Sequence, residues 1–183
     1  MKTFITKSIA ISATLIFLCV TSCKEAPKEE VVNQTEALNK WFDDKYEELL
    51  QMSPIGLTIQ GRKDHYDKID DLSKEAEDKQ LAWYTEVTNE LKETFDYESL
   101  NDQDKTSYDL WLYQYEELKE GIAYRDLNYV FDQMRGLHAQ LPTLLINFHK
   151  VDSLPDMNAY ISRIQESGRA MNQLVDRAKD QSA

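Results

Sequence analysis

The sequence predicts an all-α fold of about six helices, three or four of them long and amphipathic. Three observations predict it. Hydrophobic residues make up 42% of the chain and aromatic residues 10%, enough for a packed core and too many for a disordered chain. Five Gly and four Pro in 183 residues are too few for the many turns of a β-sandwich or barrel. Apolar residues recur every three or four positions along acidic runs, the period of a helix with one buried face. A chain of this length makes one domain and buries roughly 70% of its unfolded surface.

Residues 1–22 stand apart from that fold. Lys2 and Lys7 form a positive start, and residues 8–20 form an apolar run too short to remain as a membrane-spanning helix. The run ends in Val20-Thr21-Ser22-Cys23, which resembles the lipobox of bacterial lipoproteins: an aliphatic residue, two small ones, then the cysteine that is acylated and becomes the first residue. Residues 1–22 are therefore expected to be a lipoprotein signal peptide, and the membrane reached through lipidated Cys23 is the expected partner. Several acyl chains make a stable anchor where one would be marginal. Cys19 leaves with the signal and Cys23 carries lipid, so no thiol is left for a disulfide, a cysteine-zinc site or a nucleophile.

Removing Lys2 and Lys7 moves the formal charge from −12 to −14. Nucleic acid and anionic head groups both need a basic patch, so neither is an expected partner. Lys24, directly after the lipidated cysteine, resembles lipoproteins sorted to the outer membrane, which places the chain in the bacterial cell envelope, facing periplasm or surface. The run Lys24-Glu25 and Lys28-Glu29-Glu30 suits a surface-export signal and a plain solvated tether equally.

Residues 23–32 read as a polar tether and residues 33–183 as the helical domain. Asn33, with Glu36 three positions on, is expected to cap the first helix, whose stripe runs through Leu38, Trp41, Phe42, Tyr46 and Leu49. Ser53-Pro54 ends it and starts a short helix that stops at Gly61. Residues 61–72 read as a charged loop containing His65. Ser73 caps a long helix to about Tyr97 with Trp83, Val87, Leu91 and Phe95 on one side. Asn101 caps the next, with Tyr108, Trp111 and Tyr115 inward, to about Tyr124. Residues 125–131 read as loop. Gly136 and Pro142 confine the following helix to a start near Pro142. Asp152 or Ser153 caps the last helix, whose expected inward stripe is Met157, Tyr160, Ile161, Ile164, Met171, Leu174, Val175 and Ala178.

Residues 133–152 are the most apolar stretch and hold two of the three histidines, His138 and His149. They are eleven apart, about three turns on one helix, but Pro142 lies between them and neither has a carboxylate three or four residues away. His-Glu-x-x-His is absent, and zinc wants three or four ligands, so the histidines read as structural or solvated. Gly56 to Lys63 has Arg62-Lys63 where a phosphate-binding loop needs Lys then Ser or Thr. Asp102-Gln-Asp104 starts like a calcium loop, but Ser107 stands at the required Gly and Tyr113 at the closing Glu. The acid pairs Asp43-Asp44, Glu47-Glu48, Asp70-Asp71 and Glu116-Glu117 diverge by about 100° on a helix and read as solvated faces. Ser, His and Asp occur without a nucleophile elbow or an ordering that suggests a triad.

Two blocks carry more than helix pattern. Ser107-Tyr-Asp-Leu-Trp-Leu-Tyr-Gln114 and Gln133-Met-x-Gly136-x-His138-x-x-Leu-Pro142, followed by Asn147-x-His149-x-Val151-Asp152-Ser153, resemble the amino-terminal part of the bacterial DUF885 family. Leu38-Asn-Lys-Trp-Phe42, Ser53-Pro54 and Asp70-Asp71-Leu72-Ser73 fit the same likeness in the same order, over residues 38–179. The resemblance implies a helical, commonly lipidated protein related to zinc metallopeptidases, with the His-Glu motif and further ligands downstream of the part matched here. No catalytic residue and no metal ligand carries over, and zinc is expected only for a complete family member. The expected function is the amino-terminal scaffold of such a lipoprotein, truncated and without independent catalysis, with the missing carboxy-terminal half as a partner and apolar surface left bare. Arg135, His138 and His149 are candidates for lining its cleft, against a heavier reading as satisfied core groups. The alternative is a self-contained helical surface lipoprotein that binds peptide or glycan through its Tyr and Trp residues, in which case several of Trp41, Trp83 and Trp111 would be accessible and clustered.

Overall fold

The computed structural model describes residues 28–133 and 136–181, so the lipobox with Cys23, and Arg135, lie outside the described residues. The described residues form six α-helices and no strand: α1 (Lys28–Gln51), α2 (Pro54–Ile59), α3 (Lys74–Thr94), α4 (Asp102–Ala123), α5 (Leu137–Asn147) and α6 (Leu154–Gln181). Two 3-10 turns, Tyr97–Ser99 and Arg125–Leu127, bracket α4. The all-α expectation holds.

The caps of α2, α3 and α4 are where the side chains demanded them, whereas Asn33, expected to cap the first helix, lies inside α1. Ser53 Oγ accepts from Gly56 N–H at 2.9 Å and opens α2, Ser73 Oγ accepts from Ala76 N–H at 3.1 Å and opens α3, and Asn101 Oδ1 accepts from Gln103 and Asp104 N–H at 2.9 and 3.0 Å to open α4. Gly61, at φ +79, ends α2: Arg62 N–H reaches the Leu57 carbonyl and Gly61 N–H the Thr58 carbonyl, both 2.9 Å, the paired closure that a left-handed residue permits.

Two boundaries differ from the expectation. Helix α1 begins at Lys28, ahead of Asn33, so part of the supposed tether is helical; Lys and Glu are good helix formers and nothing in Lys28-Glu29-Glu30 stops propagation. Helix α5 begins at Leu137 behind Gly136 and carries Pro142 inside it. A proline there loses one bond to the carbonyl four residues back, but Pro142 is exposed, and burial of Leu141, Leu144 and Leu145 holds the helix through it.

The core has two parts. Helices α1, α3 and α4 enclose Leu38, Trp41, Val87, Leu91, Phe95, Tyr108 and Trp111. Trp41 meets Trp111 edge-on at 5.2 Å between centroids, and Trp83 meets Trp111 at 6.3 Å. Each indole N–H has a partner: Trp41 donates to Glu90 at 2.8 Å, Trp111 to Thr88 at 3.0 Å and Trp83 to Glu48 at 3.2 Å. The second part joins Ile69 of the 61–72 loop to Leu141 and Leu144 of α5 and Ala170 of α6.

Helix α6 turns only part of its expected stripe inward: Leu174 is buried and Tyr160, Met171 and Ala178 are half-buried. Its buried residues are Asp156, Arg163, Ala170 and Leu174, whereas Met157, Ile161, Ile164 and Val175 are exposed. The apolar stripe is real, but the 61–72 loop and α2 offer backbone carbonyls to α6, and the polar face with Arg163 is what satisfies them.

Candidate functional site

A dense polar constellation lies where α6 begins. His149 follows α5, Asp156 is in the first turn of α6, Arg163 comes two turns later, and Lys63, Tyr66 and Lys68 come from the 61–72 loop. Ser153 opens α6, its hydroxyl donating to Asp156 Oδ2 at 2.8 Å, and that oxygen also accepts Asp152 N–H at 3.0 Å and Lys63 Nζ at 2.9 Å. The Lys63 ammonium, then the Ser153 hydroxyl, hold the Asp156 carboxyl down at about 2.

Arg163 has no exposed surface and, among the described residues, no carboxylate bonded to it. Its Nε donates to the Lys68 carbonyl at 2.9 Å, Nη2 to the Pro54 carbonyl at 3.1 Å and Thr58 Oγ1 at 2.7 Å, and Nη1 meets His149 Nδ1 at 3.2 Å. The Tyr66 ring lies 5.0 Å from the guanidinium carbon. Burial lowers its pKa, yet a guanidinium stays protonated and its donors stay donors. One side chain therefore ties α2, the 61–72 loop and the α5–α6 junction to α6.

The partners settle the state of His149. Guanidinium can only donate, so His149 Nδ1 accepts; the Asp156 carbonyl, 3.0 Å from Nε2, can only accept, so Nε2 carries the proton. The ring stacks on Tyr66 at 3.9 Å and meets Tyr160 edge-on at 5.2 Å. Burial pushes its pKa below the usual 6.5, and the Arg163 charge adds to that while the Asp156 carbonyl opposes it. Both nitrogens are committed, so this histidine is a satisfied structural group rather than a free base or ligand.

His138 is placed differently. It sits in the first turn of α5, half-buried, with its ring folded over Gly136 so closely that a Cβ there would lie 2.3 Å from ring atoms. Phe131 meets the ring edge-on at 5.3 Å, and buried Nδ1 has no hydrogen-bond partner among the described residues. The ring lines a cleft of about 380 Å³ between α5 and α6, whose other walls include Leu141, Leu145, Tyr160, Ile164 and Met171. His138 sits in the first turn of α5 and His149 two residues past its last turn, at opposite ends of the helix. Among the described residues, no group of three His, Cys, Asp or Glu is arranged to hold a metal ion.

The remaining sequence candidates have structural explanations. Asp70 is not a solvated acid: Oδ2 accepts the Ser53 hydroxyl at 2.7 Å and Oδ1 the Ile55 N–H at 2.8 Å, fastening the start of α2, while Asp71 accepts Ser73 N–H at 3.0 Å. Asp104 is buried against Asn101 and Thr35. His65 is exposed in the loop at φ +50. Trp41 and Trp111 are buried and Trp83 packs against them, so the tryptophans form core, not a ligand platform. Sequence reasoning passed over Arg163, Asp156 and Tyr66. The available signal was Asp156, Arg163, Ala170 and Arg177 recurring every seven residues, a second face that the stronger apolar stripe masked.

No helix among the described residues is long and apolar enough to cross a membrane. No curated protein and no solved structure matches the chain. A family model described as bacterial protein of unknown function (DUF885) matches residues 54–183, from the start of α2 onward and so including the Arg163 cluster and the α5–α6 cleft, with α1 outside. With most of its length matched, the chain belongs to the DUF885 family.

Proposed function

We propose that this chain is the amino-terminal helical scaffold of a metallopeptidase-like DUF885 lipoprotein, anchored through Cys23 and without independent catalysis. The supporting observation is the outward face of α5 and α6: Ile146 is 75% exposed, and Ile161 and Ile164 are about half exposed beside an apolar cleft. Contiguous apolar surface of this kind marks a site for another protein surface. The commitment of both His149 nitrogens fits the same reading, because a histidine held on both sides serves packing. The scaffold's work is to hold α5 and α6 rigidly while the cleft forms one wall of a larger site.

The reading is tested by assaying the mature chain, residues 23–183 with Cys23→Ser, on unstructured peptides with and without added zinc. The expected result is no hydrolysis above buffer in either condition. Zinc-dependent turnover that scales with chain concentration would overturn it. The anchor is tested separately: radiolabelled palmitate should enter the full chain in a bacterial host and should not enter Cys23→Ser.

A further inference from the structure

The bare face of α6 has a period. Met157, Ile161, Ile164, Gly168, Met171 and Val175 are spaced four, three, four, three and four, an unbroken heptad seam. Met157, Ile161, Ile164 and Val175 are exposed, Met171 is half-buried at the cleft, and nothing lies within 4 Å of a Cβ built on Gly168. A seam of period 3.5 fits another helix and not a sheet or a flat surface.

Charge distinguishes this face from the rest of the protein. The flanking positions Asn158, Gln165 and Asn172 are polar but uncharged, so the seam and its outer flank carry no charge from Met157 to Val175, in a chain that is 30% charged. Charge depletion is the compositional mark of an interface core. In a chain with formal net charge −12, it is also a face on which two copies can approach without bringing like charges together.

Gly168 decides the direction. A mid-helix glycine lowers helix stability, and among the described residues nothing beyond its own helix turn lies within 4 Å of a Cβ built there. Read backward, the seam has the same alternation of three and four, so an antiparallel copy sets each a position against a d position. In the register that places Ile161 on Met171 and Val175 on Met157, Ile164 of each copy lies over Gly168 of the other, filling the open space. A parallel pair would face glycine with glycine and leave it empty. We propose that α6 pairs antiparallel with α6 of a second copy through this seam. The proposal takes the same bare face as the scaffold reading and names its occupant.

The test is sedimentation velocity of the mature chain, residues 23–183 with Cys23→Ser, over a wide concentration range. The wild-type seam should give a species of twice the chain mass, and Ile164→Glu should restore the single-chain mass with unchanged helical circular dichroism. A single-chain mass at every concentration would overturn the proposal, as would a dimer that survives Ile164→Glu. Direction is read by oxidation: Gln165→Cys, near the twofold axis, should crosslink to itself. Asn158→Cys should not, but should crosslink with Asn172→Cys on mixing. Self-crosslinking at Asn158→Cys as efficient as at Gln165→Cys would refute the antiparallel geometry. A monomer without turnover rejects the pairing and leaves the scaffold reading standing, whereas a dimer that hydrolyses peptide does the reverse.

Discussion

Arg163 and His149 show how a buried cation is accommodated without a counter-ion: four hydrogen bonds, two of them to carbonyls, take the place of a carboxylate. Arg163→Ala leaves those acceptors unpaired and opens a void, so it should lower stability by about 3 kcal/mol or more in urea unfolding. Arg163→Lys should recover little, because an ammonium cannot reach the same fork of partners. The pH dependence follows from the two shifted groups. His149 titrates below its unfolded value of 6.5, so at lower pH the unfolded chain binds the extra proton and stability falls as pH drops through that region. His149→Gln should flatten that limb in thermal melts. Asp156 is depressed to about 2, so its contribution is present above about 3.8 and lost as pH falls through about 2. Asp156→Asn should flatten this lower, acid limb instead.

At the scale of elements, α6 carries two codes. Its outward apolar seam was legible as periodicity, but the sequence could not say which face turns inward, because that depends on carbonyls offered by α2 and the 61–72 loop far away in the chain. The consequence is measurable by urea unfolding at low protein concentration. Ile161→Ala should change stability within about 0.5 kcal/mol, while Leu174→Ala, fully inside, should cost about 2–5 kcal/mol. Pro142→Ala should raise the melting temperature, since α5 runs through that exposed position and an alanine restores the missing bond. Caps were readable because a cap is local: Ser53, Ser73, Asn101 and Gly61 act on residues two to five positions away. The start of α5 was not, because burial of Leu141 and its neighbours outweighs one lost hydrogen bond.

Across the whole molecule, two packing centres serve different ends. In the tryptophan-rich bundle of α1, α3 and α4 every indole N–H is partnered. The α5–α6 part is packed on one side and bare on the other, with the cleft and His138 opening outward. Of the candidate site, the histidines could be picked out from the sequence because they are rare. That one is locked by an arginine fourteen residues later and the other faces a cleft could not, since both depend on tertiary packing.

The central claim is that α6 packs inward through Asp156, Arg163, Ala170 and Leu174 and offers Met157, Ile161, Ile164 and Val175 outward. Single cysteines at Ile161 and Ala170, in the mature chain with Cys23→Ser, test it by their rates of maleimide labelling. At high dilution Ile161→Cys should label almost as fast as in denaturant, while Ala170→Cys should stay protected until the chain unfolds. Protection of Ile161→Cys that no dilution relieves, together with free labelling of Ala170→Cys, would contradict the account.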